Sequence, residues 1–279
     1  MADSGEINSG EKTTDAMAVR PVGRLEIIVV STLLCLCWLF FLCPWVPYLF
    51  YQSDTYWLIE TGRLILEKHA LPAGDIYSYT SLKGPWVAYQ WLFEVCCGLA
   101  NAAGGLSGVA VFGQSILALL CCVLILRNLL RQGINAFVAL ATIFFAAYAF
   151  FPGLCSLRPQ LFSFVLFWLL VELCQRVRAG LSMSKTIAAS FFIALFWANC
   201  HISFLIGLVL LGAHLFAALI LALRKSVSIA LPASLAGALA AFFAGTFCTP
   251  YGPSLWQFIG KTQSMFYSQE VLSTVWSEH

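Results

Sequence analysis

Apolar residues run through the chain in long blocks, separated by short polar stretches. The first block covers residues 25–50. Later blocks cover 106–126, 135–154, 160–176, 186–200, 202–223 and 228–248. A helix of about 20 apolar residues crosses a bilayer, and a helix satisfies its own backbone polar groups in lipid. The pattern predicts an all-α integral membrane protein with about seven transmembrane helices, its core spanning residues 25–248. Residues 1–24 are polar and mixed in charge, and are expected to form a disordered cytoplasmic N-terminus. The first block is too long for the apolar part of a cleavable signal. Pro44 and Pro47 should bend or break its outer end. Residues 249–279 read as a polar-aromatic extracytoplasmic tail.

Residues 51–105 read as one large loop. Within it, residues 54–68 repeat with helical period: Leu58, Ile59, Gly62, Ile65 and Leu66 share one side, and Glu60, Arg63 and Glu67 the other. Such a helix lies flat in the membrane interface. Gly62, central on the apolar side, predicts close contact with another element. Leu71-Pro72-Ala73-Gly74-Asp75 then ends the helix. Tyr77, Tyr79, Trp86, Tyr89 and Trp91 follow; they suit an interfacial aromatic belt, and equally stacking on a sugar or an isoprenoid chain.

Composition sharpens the class. Of 279 residues 61% are hydrophobic and 10% charged, with a mean hydropathy of +0.86. A water-soluble domain could not cover that much apolar surface. The net charge of +2 points to no nucleic acid or other polyanion as partner. The eleven cysteines lie mostly within apolar blocks and show no CxxC spacing, so they read as small hydrophobes. Cys96 and Cys97, in the loop, are the pair with any redox potential.

Basic residues orient the set. An N-terminus inside leaves ten Lys and Arg in the cytoplasm: Lys12, Arg20, Arg24, Arg127, Arg131, Arg176, Arg178, Lys185, Arg224 and Lys225. Five remain outside: Arg63, Lys68, Lys83, Arg158 and Lys261. Positive residues gather on the cytoplasmic side of membrane proteins. This topology brings scattered polar groups to the outer face: Asp54, Asp75, Arg158-Pro159-Gln160, Asn199, His201 and Thr249-Pro250-Tyr251-Gly252.

Each of these groups has a structural role that would account for it. Asp54 caps a helix or serves as a general base toward a hydroxyl or amine. Asp75 suits a turn or a second carboxylate. Arg158 snorkels to headgroups or binds phosphate through its forked donors. His201 is a hydrogen-bonded structural residue or an acid–base group. His214 lies within a span and is a functional candidate by its depth. Glu172 should pair with Arg176 one turn on. Ala233, Gly237, Ala241 and Gly245 form a small-residue ladder suited to helix packing.

Several short blocks, in order, resemble a known family: Asp54-x-x-Trp57, Gly62, Leu71-Pro72, Asp75-Ile76-Tyr77-Ser78-Tyr79-Thr80, Pro85-Trp86 and Gln90-Trp91-Leu92-x-Glu94. Arg158-Pro159-Gln160-x-Phe162-Ser163, Trp197-Ala198-Asn199-x-His201 and Pro250-Tyr251-Gly252 follow. Over residues 50–255 the chain resembles bacterial membrane proteins of the C-type (GT-C) glycosyltransferase superfamily. The resemblance implies an inner-membrane enzyme with an extracytoplasmic site and a sugar donor on a polyisoprenyl phosphate or diphosphate. It implies an acidic residue in the first outer loop, which Asp54 matches as a general base toward the acceptor, with Asp75 as a second carboxylate. It places Arg158 and His201 on the donor phosphate, and Trp57, Trp86, Gln90, Trp91, Asn199 and Tyr251 along the substrate. Some members use a divalent cation and others none.

Two departures mark this chain. Tyr89-Gln90 stands where the family pattern has a His-Glu type of pair, and the chain ends at His279, where relatives carry further spans. They support an alternative: a truncated or inactive relative serving as a lipid-binding or assembly subunit. A transporter would show broken spans in an internal repeat, and none is visible.

Overall fold

The computed structural model describes residues 24–41, 53–77, 86–149 and 156–267. Among these the chain is helical, with short turns between helices. The elements are α1 (Arg24–Phe41), α2 (Ser53–Lys68), α3 (Trp91–Ala110), a π-helical segment (Val111–Ala118) and α4 (Leu119–Arg131). Then come α5 (Ala136–Ala149), α6 (Gln160–Arg178), α7 (Met183–Cys200), α8 (Phe204–Leu223), α9 (Ala230–Gly245) and α10 (Pro253–Tyr267).

Four helical runs are long and apolar enough to cross a membrane: Trp91–Arg131, Gln160–Arg178, Met183–Cys200 and Phe204–Leu223. Shorter apolar helices cover Ala136–Ala146 and Ala230–Gly245. The first of the four is not one rod. Gly104 (φ −156°, ψ 21°) and Gly105 (φ 58°, ψ −150°) leave the helical region. The rings of Phe93 and Phe112 lie 6.2 Å apart. In a straight helix, with a rise of 1.5 Å per residue, they would be about 28 Å apart. The run therefore folds back into a hairpin. Gly105 supplies the positive φ that the reversal needs, and residues 106–131 form the long arm.

This corrects the loop expected over 51–105. Its second half is helix from Trp91, and Phe93 and Cys97 face the core one turn apart. The short Ala- and Gly-rich side chains of residues 98–105 weakened the helical period in the sequence. The expected tail at 249–279 is also corrected, because Pro253–Tyr267 is helix, with Leu255 and Ile259 buried. The other apolar blocks match their helices within a few residues at the described ends. Residues 42–50, with Pro44 and Pro47, lie outside the described residues.

Two packed groups make up the core. One gathers α1, α2, the α3 hairpin, α4 and α5, and holds Leu58, Phe93, Leu126, Leu157 and Leu161. The other gathers α6 to α10 around Leu170, Trp197, Phe204, Leu211 and Phe242. Phe162, at the start of α6, packs against both. The small-residue ladder of α9 meets α7. A Cβ on Gly245 would lie 2.7 Å from the Phe191 carbonyl oxygen, and one on Gly237 would touch Ile187 and Met183. The Ser190 hydroxyl donates across the same contact to the Ala238 carbonyl at 2.8 Å.

The close contact expected at Gly62 occurs against α3. A Cβ there would lie 1.8 Å from the Glu94 carbonyl oxygen, and one on Gly98 2.7 Å from the Gly62 carbonyl carbon. Two helices meeting backbone to backbone fix where their first turns lie.

The π-helical segment carries Gln114, which is buried with neither amide atom hydrogen-bonded. At the far ends of α4 and α6, Glu172 accepts hydrogen bonds from Arg127, Arg131 and Arg176. The pairing with Arg176 was visible in the sequence; the two α4 arginines join it only through the packing of α4 on α6.

Candidate functional site

Asp54 sits in the first turn of α2, where a carboxylate is favoured by the helix dipole. Arg158 precedes α6, just before the Pro159 that stands at its N-cap. These separate segments meet: Arg158 Nη2 lies 3.4 Å from Asp54 Oδ2, with both side chains a little under half exposed. One turn along α2, the Trp57 indole N–H donates to Asp54 Oδ1 at 3.4 Å.

Trp57, Tyr77 and Trp86 form a ring triad, with centroids 6.0–6.3 Å apart and each plane tilted to the next. The Tyr77 hydroxyl bonds with the Thr61 hydroxyl at 2.7 Å, which fixes the triad to α2. The Trp86 indole N–H is buried without a partner. Burial pushes the Tyr77 phenol up from its ordinary pKa, so it stays a neutral hydroxyl. Asp75 accepts the Tyr77 backbone N–H at 2.8 Å, the turn geometry expected of it, and so positions Tyr77.

From Trp86 the chain leads directly into a further set of polar and aromatic contacts. Ala88 N–H donates to the Tyr251 hydroxyl at 2.9 Å. The Tyr89 ring stacks on Phe258 of α10. The Trp91 indole N–H donates to Asn199 Oδ1 at 2.7 Å, and Asn199 Nδ2 donates to the Leu195 and Cys248 carbonyls. Gln90 Nε2 donates to Glu94 Oε1 at 3.3 Å.

Glu94 was quoted in the family blocks but not placed in the site. It is 0% exposed, and its Oε2 has no hydrogen-bond partner. A buried carboxyl with an unpaired oxygen is costly unless a proton or a ligand completes it. Its place in the Gln90-Trp91-Leu92-x-Glu94 block is the signal in the sequence that could have found it.

His201 belongs to a separate node. Its Nδ1 accepts the Ser203 backbone N–H at 3.2 Å and lies 2.7 Å from the Ser203 hydroxyl. The Ser203 hydroxyl donates to Ser163 at 2.6 Å, and the Trp197 indole N–H reaches both hydroxyls. Burial pushes the imidazole down to about 4. His201 thus offers a hydrogen bond at neutral pH and no charge. His214, the deeper histidine, bonds through Nδ1 with Arg178 at 3.0 Å.

The His201 shift has a consequence for stability. A histidine whose pKa is depressed by folding stabilises the fold above its unfolded value of 6.5. As pH falls from there through about 4, the unfolded chain takes the proton first and stability is lost. Melting in detergent at pH 7.5 and pH 5 should show a drop for wild type that His201→Gln reduces, with a ceiling of about 2 kcal/mol over that window.

Among the described residues no group of three or more His, Cys, Asp or Glu side chains gathers as a metal site would require. The described cysteines are free thiols, Cys96 and Cys97 included.

Fold and site together define an all-helical protein with apolar helices long enough for a membrane, and with polar groups from α2, α3, α6 and α7 meeting near helix ends. The chain matches no family model, no curated protein and no solved structure.

Proposed function

We propose that the chain is a seven-span membrane glycosyltransferase of the GT-C kind, with its N-terminus in the cytoplasm and its site on the outer face. It transfers a sugar from a polyisoprenyl phosphate or diphosphate to an extracytoplasmic acceptor. The observation that carries the reading is the meeting of Asp54 and Arg158 beside the Trp57–Tyr77–Trp86 triad. A general base, a phosphate-binding guanidinium and a surface for a sugar ring are the three parts such a transfer requires.

The Asp54–Arg158 contact is long and partly exposed, so a phosphate can replace the carboxylate at Arg158. Asp54 is then released to accept the acceptor's proton. The acceptor oxygen or nitrogen bonds to the anomeric carbon, the bond from that carbon to the phosphate oxygen breaks, and Arg158 holds the leaving phosphate. The Trp86 N–H and Glu94 Oε2 are the buried polar atoms beside this region that still lack partners.

The test is turnover of polyisoprenyl-phosphate and -diphosphate sugars by the purified chain in lipid nanodiscs. Turnover is expected, and Arg158→Gln should raise the KM for donor tenfold to hundredfold, by analogy with hydrogen bonds to charged groups at roughly 1.5–3 kcal/mol. Binding without turnover across a broad donor panel would favour the inactive lipid-binding relative. In that case Gln90, bonded to Glu94, marks the lost acid–base group.

A further inference from the structure

The described charges divide sharply between the two ends of the helices. The ends of α4, α6 and α8 and the start of α7 carry Arg127, Arg131, Arg176, Arg178, Lys185, Arg224 and Lys225 against Glu172, while Arg24 and Glu26 offset each other at the start of α1. The opposite region holds Arg63, Lys68, Arg158 and Lys261 against Asp54, Glu60, Glu67, Asp75 and Glu94. One end therefore keeps a large unbalanced positive charge, concentrated between α4 and α6.

There, three guanidinium groups surround one carboxylate. Glu172 Oε1 accepts from Arg131 Nη1 at 2.6 Å and from Arg176 Nε and Nη2 at 3.1 and 2.5 Å. Glu172 Oε2 accepts from Arg127. Glu172 is 10% exposed, while the arginine side chains are 34%, 46% and 58% exposed. Their remaining N–H donors fan outward from a buried anchor. The Asn128–Gln175 amide pair, 3.1 Å apart, holds the two helices together beside them. Phe137 and Val138, at the start of α5 just beyond this cluster, expose apolar side chains.

We infer that the α4–α6 arginine cluster binds the phosphodiester headgroup of an anionic membrane lipid, with acyl chains lying over the exposed start of α5. One carboxylate cannot neutralise three guanidinium groups, and Arg forks match phosphate oxygens in pairs. A pocket of basic residues between helices at a membrane surface fits an anionic headgroup. Glu172 preorganises the forks, so they need little ordering when the lipid arrives. The inference rests on the chain being in a membrane and not on the transfer reaction.

The full chain is reconstituted in phosphatidylcholine nanodiscs with a minority of spin-labelled phosphatidylglycerol or spin-labelled phosphatidylcholine. Electron spin resonance then reads the immobilised fraction. Wild type should immobilise the glycerol lipid selectively, with high salt weakening the preference. Arg127→Gln with Arg131→Gln should lower it by roughly fivefold per arginine. Glu172→Gln, which keeps an amide oxygen for the forks to donate to while removing the competing charge, should keep or raise it. Arg127→Lys with Arg131→Lys keeps the charge and serves if the glutamine pair fails to fold; it should retain selectivity, with a lower affinity. Glycerol 1-phosphate and inorganic phosphate are added as competitors: displacement by either at micromolar levels would assign the site to a free anion instead and overturn the lipid proposal. Equal immobilisation of both lipids by wild type, or undiminished selectivity in the glutamine pair, would also overturn it.

Discussion

If the chain is the glycosyltransferase proposed above, Asp54→Asn should lower sugar transfer by two to four orders of magnitude, the usual contribution of a general base. The change preserves the side chain's shape and the oxygen that accepts from Trp57 at 3.4 Å. It removes the charge facing Arg158 and the ability to take a proton. The pair is about half exposed, so its loss costs little stability; surface pairs contribute about 0–1 kcal/mol. Helical content and melting should therefore stay near wild type while turnover falls, and the KM for donor should hold or fall, because the carboxylate that competes for Arg158 is gone. Nanodisc turnover beside circular dichroism separates these outcomes. An Asp54→Asn variant within tenfold of wild type would move the base elsewhere. Glu94, with its unpaired Oε2, would then be the next carboxylate to replace. An inactive assembly subunit would tolerate both changes.

The largest structural effect is expected at Gly62→Ala. The added methyl would sit 1.8 Å from the Glu94 carbonyl oxygen and 2.6 Å from its carbon, both backbone atoms that no rotamer change can move. Either α2 shifts away from α3 or the hairpin reopens. Overpacking typically costs 1–3 kcal/mol, and this contact lies at or above about the top of that range. Gly98→Ala, 2.7 Å from the Gly62 carbonyl carbon, should act in the same direction and less strongly. Gly212→Ala is the control. It has open space within 4 Å and lies mid-helix in α8, where alanine favours the helix by about 1 kcal/mol. Thermal melting in detergent should place Gly62→Ala lowest and Gly212→Ala at or above wild type. Because α2 carries Asp54 and α3 carries Glu94, activity should fall with Gly62→Ala even in the fraction that stays folded.

Much of this arrangement can be read from residue pattern, and the parts that cannot have physical reasons. Helices α6 to α9 stand out because continuous apolar runs are what lipid selects. Residue 106 could be placed as the start of a span because Gly104-Gly105 punctuates the run just before it. The helix over 91–103 was hidden because its buried face uses Cys97, Gly98 and Ala100, whose small side chains carry little hydropathy contrast. Helix α10 was hidden behind Pro250 and Gly252, although Leu255 and Ile259 already have helical spacing. Gly62 announced a close contact without naming its partner. At the site, topology suggested that Asp54 and Arg158 share a face. Their pairing at 3.4 Å depends on how α2 seats on α3 and how α6 begins, which are tertiary facts. The same holds for Glu172. Arg176 is its neighbour along one helix, whereas Arg127 and Arg131 arrive from another.

The π-helical segment Val111–Ala118 sets the phase of everything after it. A π turn is an α-helix with one residue too many, accommodated by wider hydrogen bonding. Each residue of an α-helix advances the face by about 100°. Shortening the segment by one residue would restore regular winding but swing Arg127 and Arg131 about a quarter turn away from Glu172. The irregular turn thus works as a spacer that keeps the hairpin's upper packing and the lower arginine cluster in register, two regions with different geometric demands on a single helix.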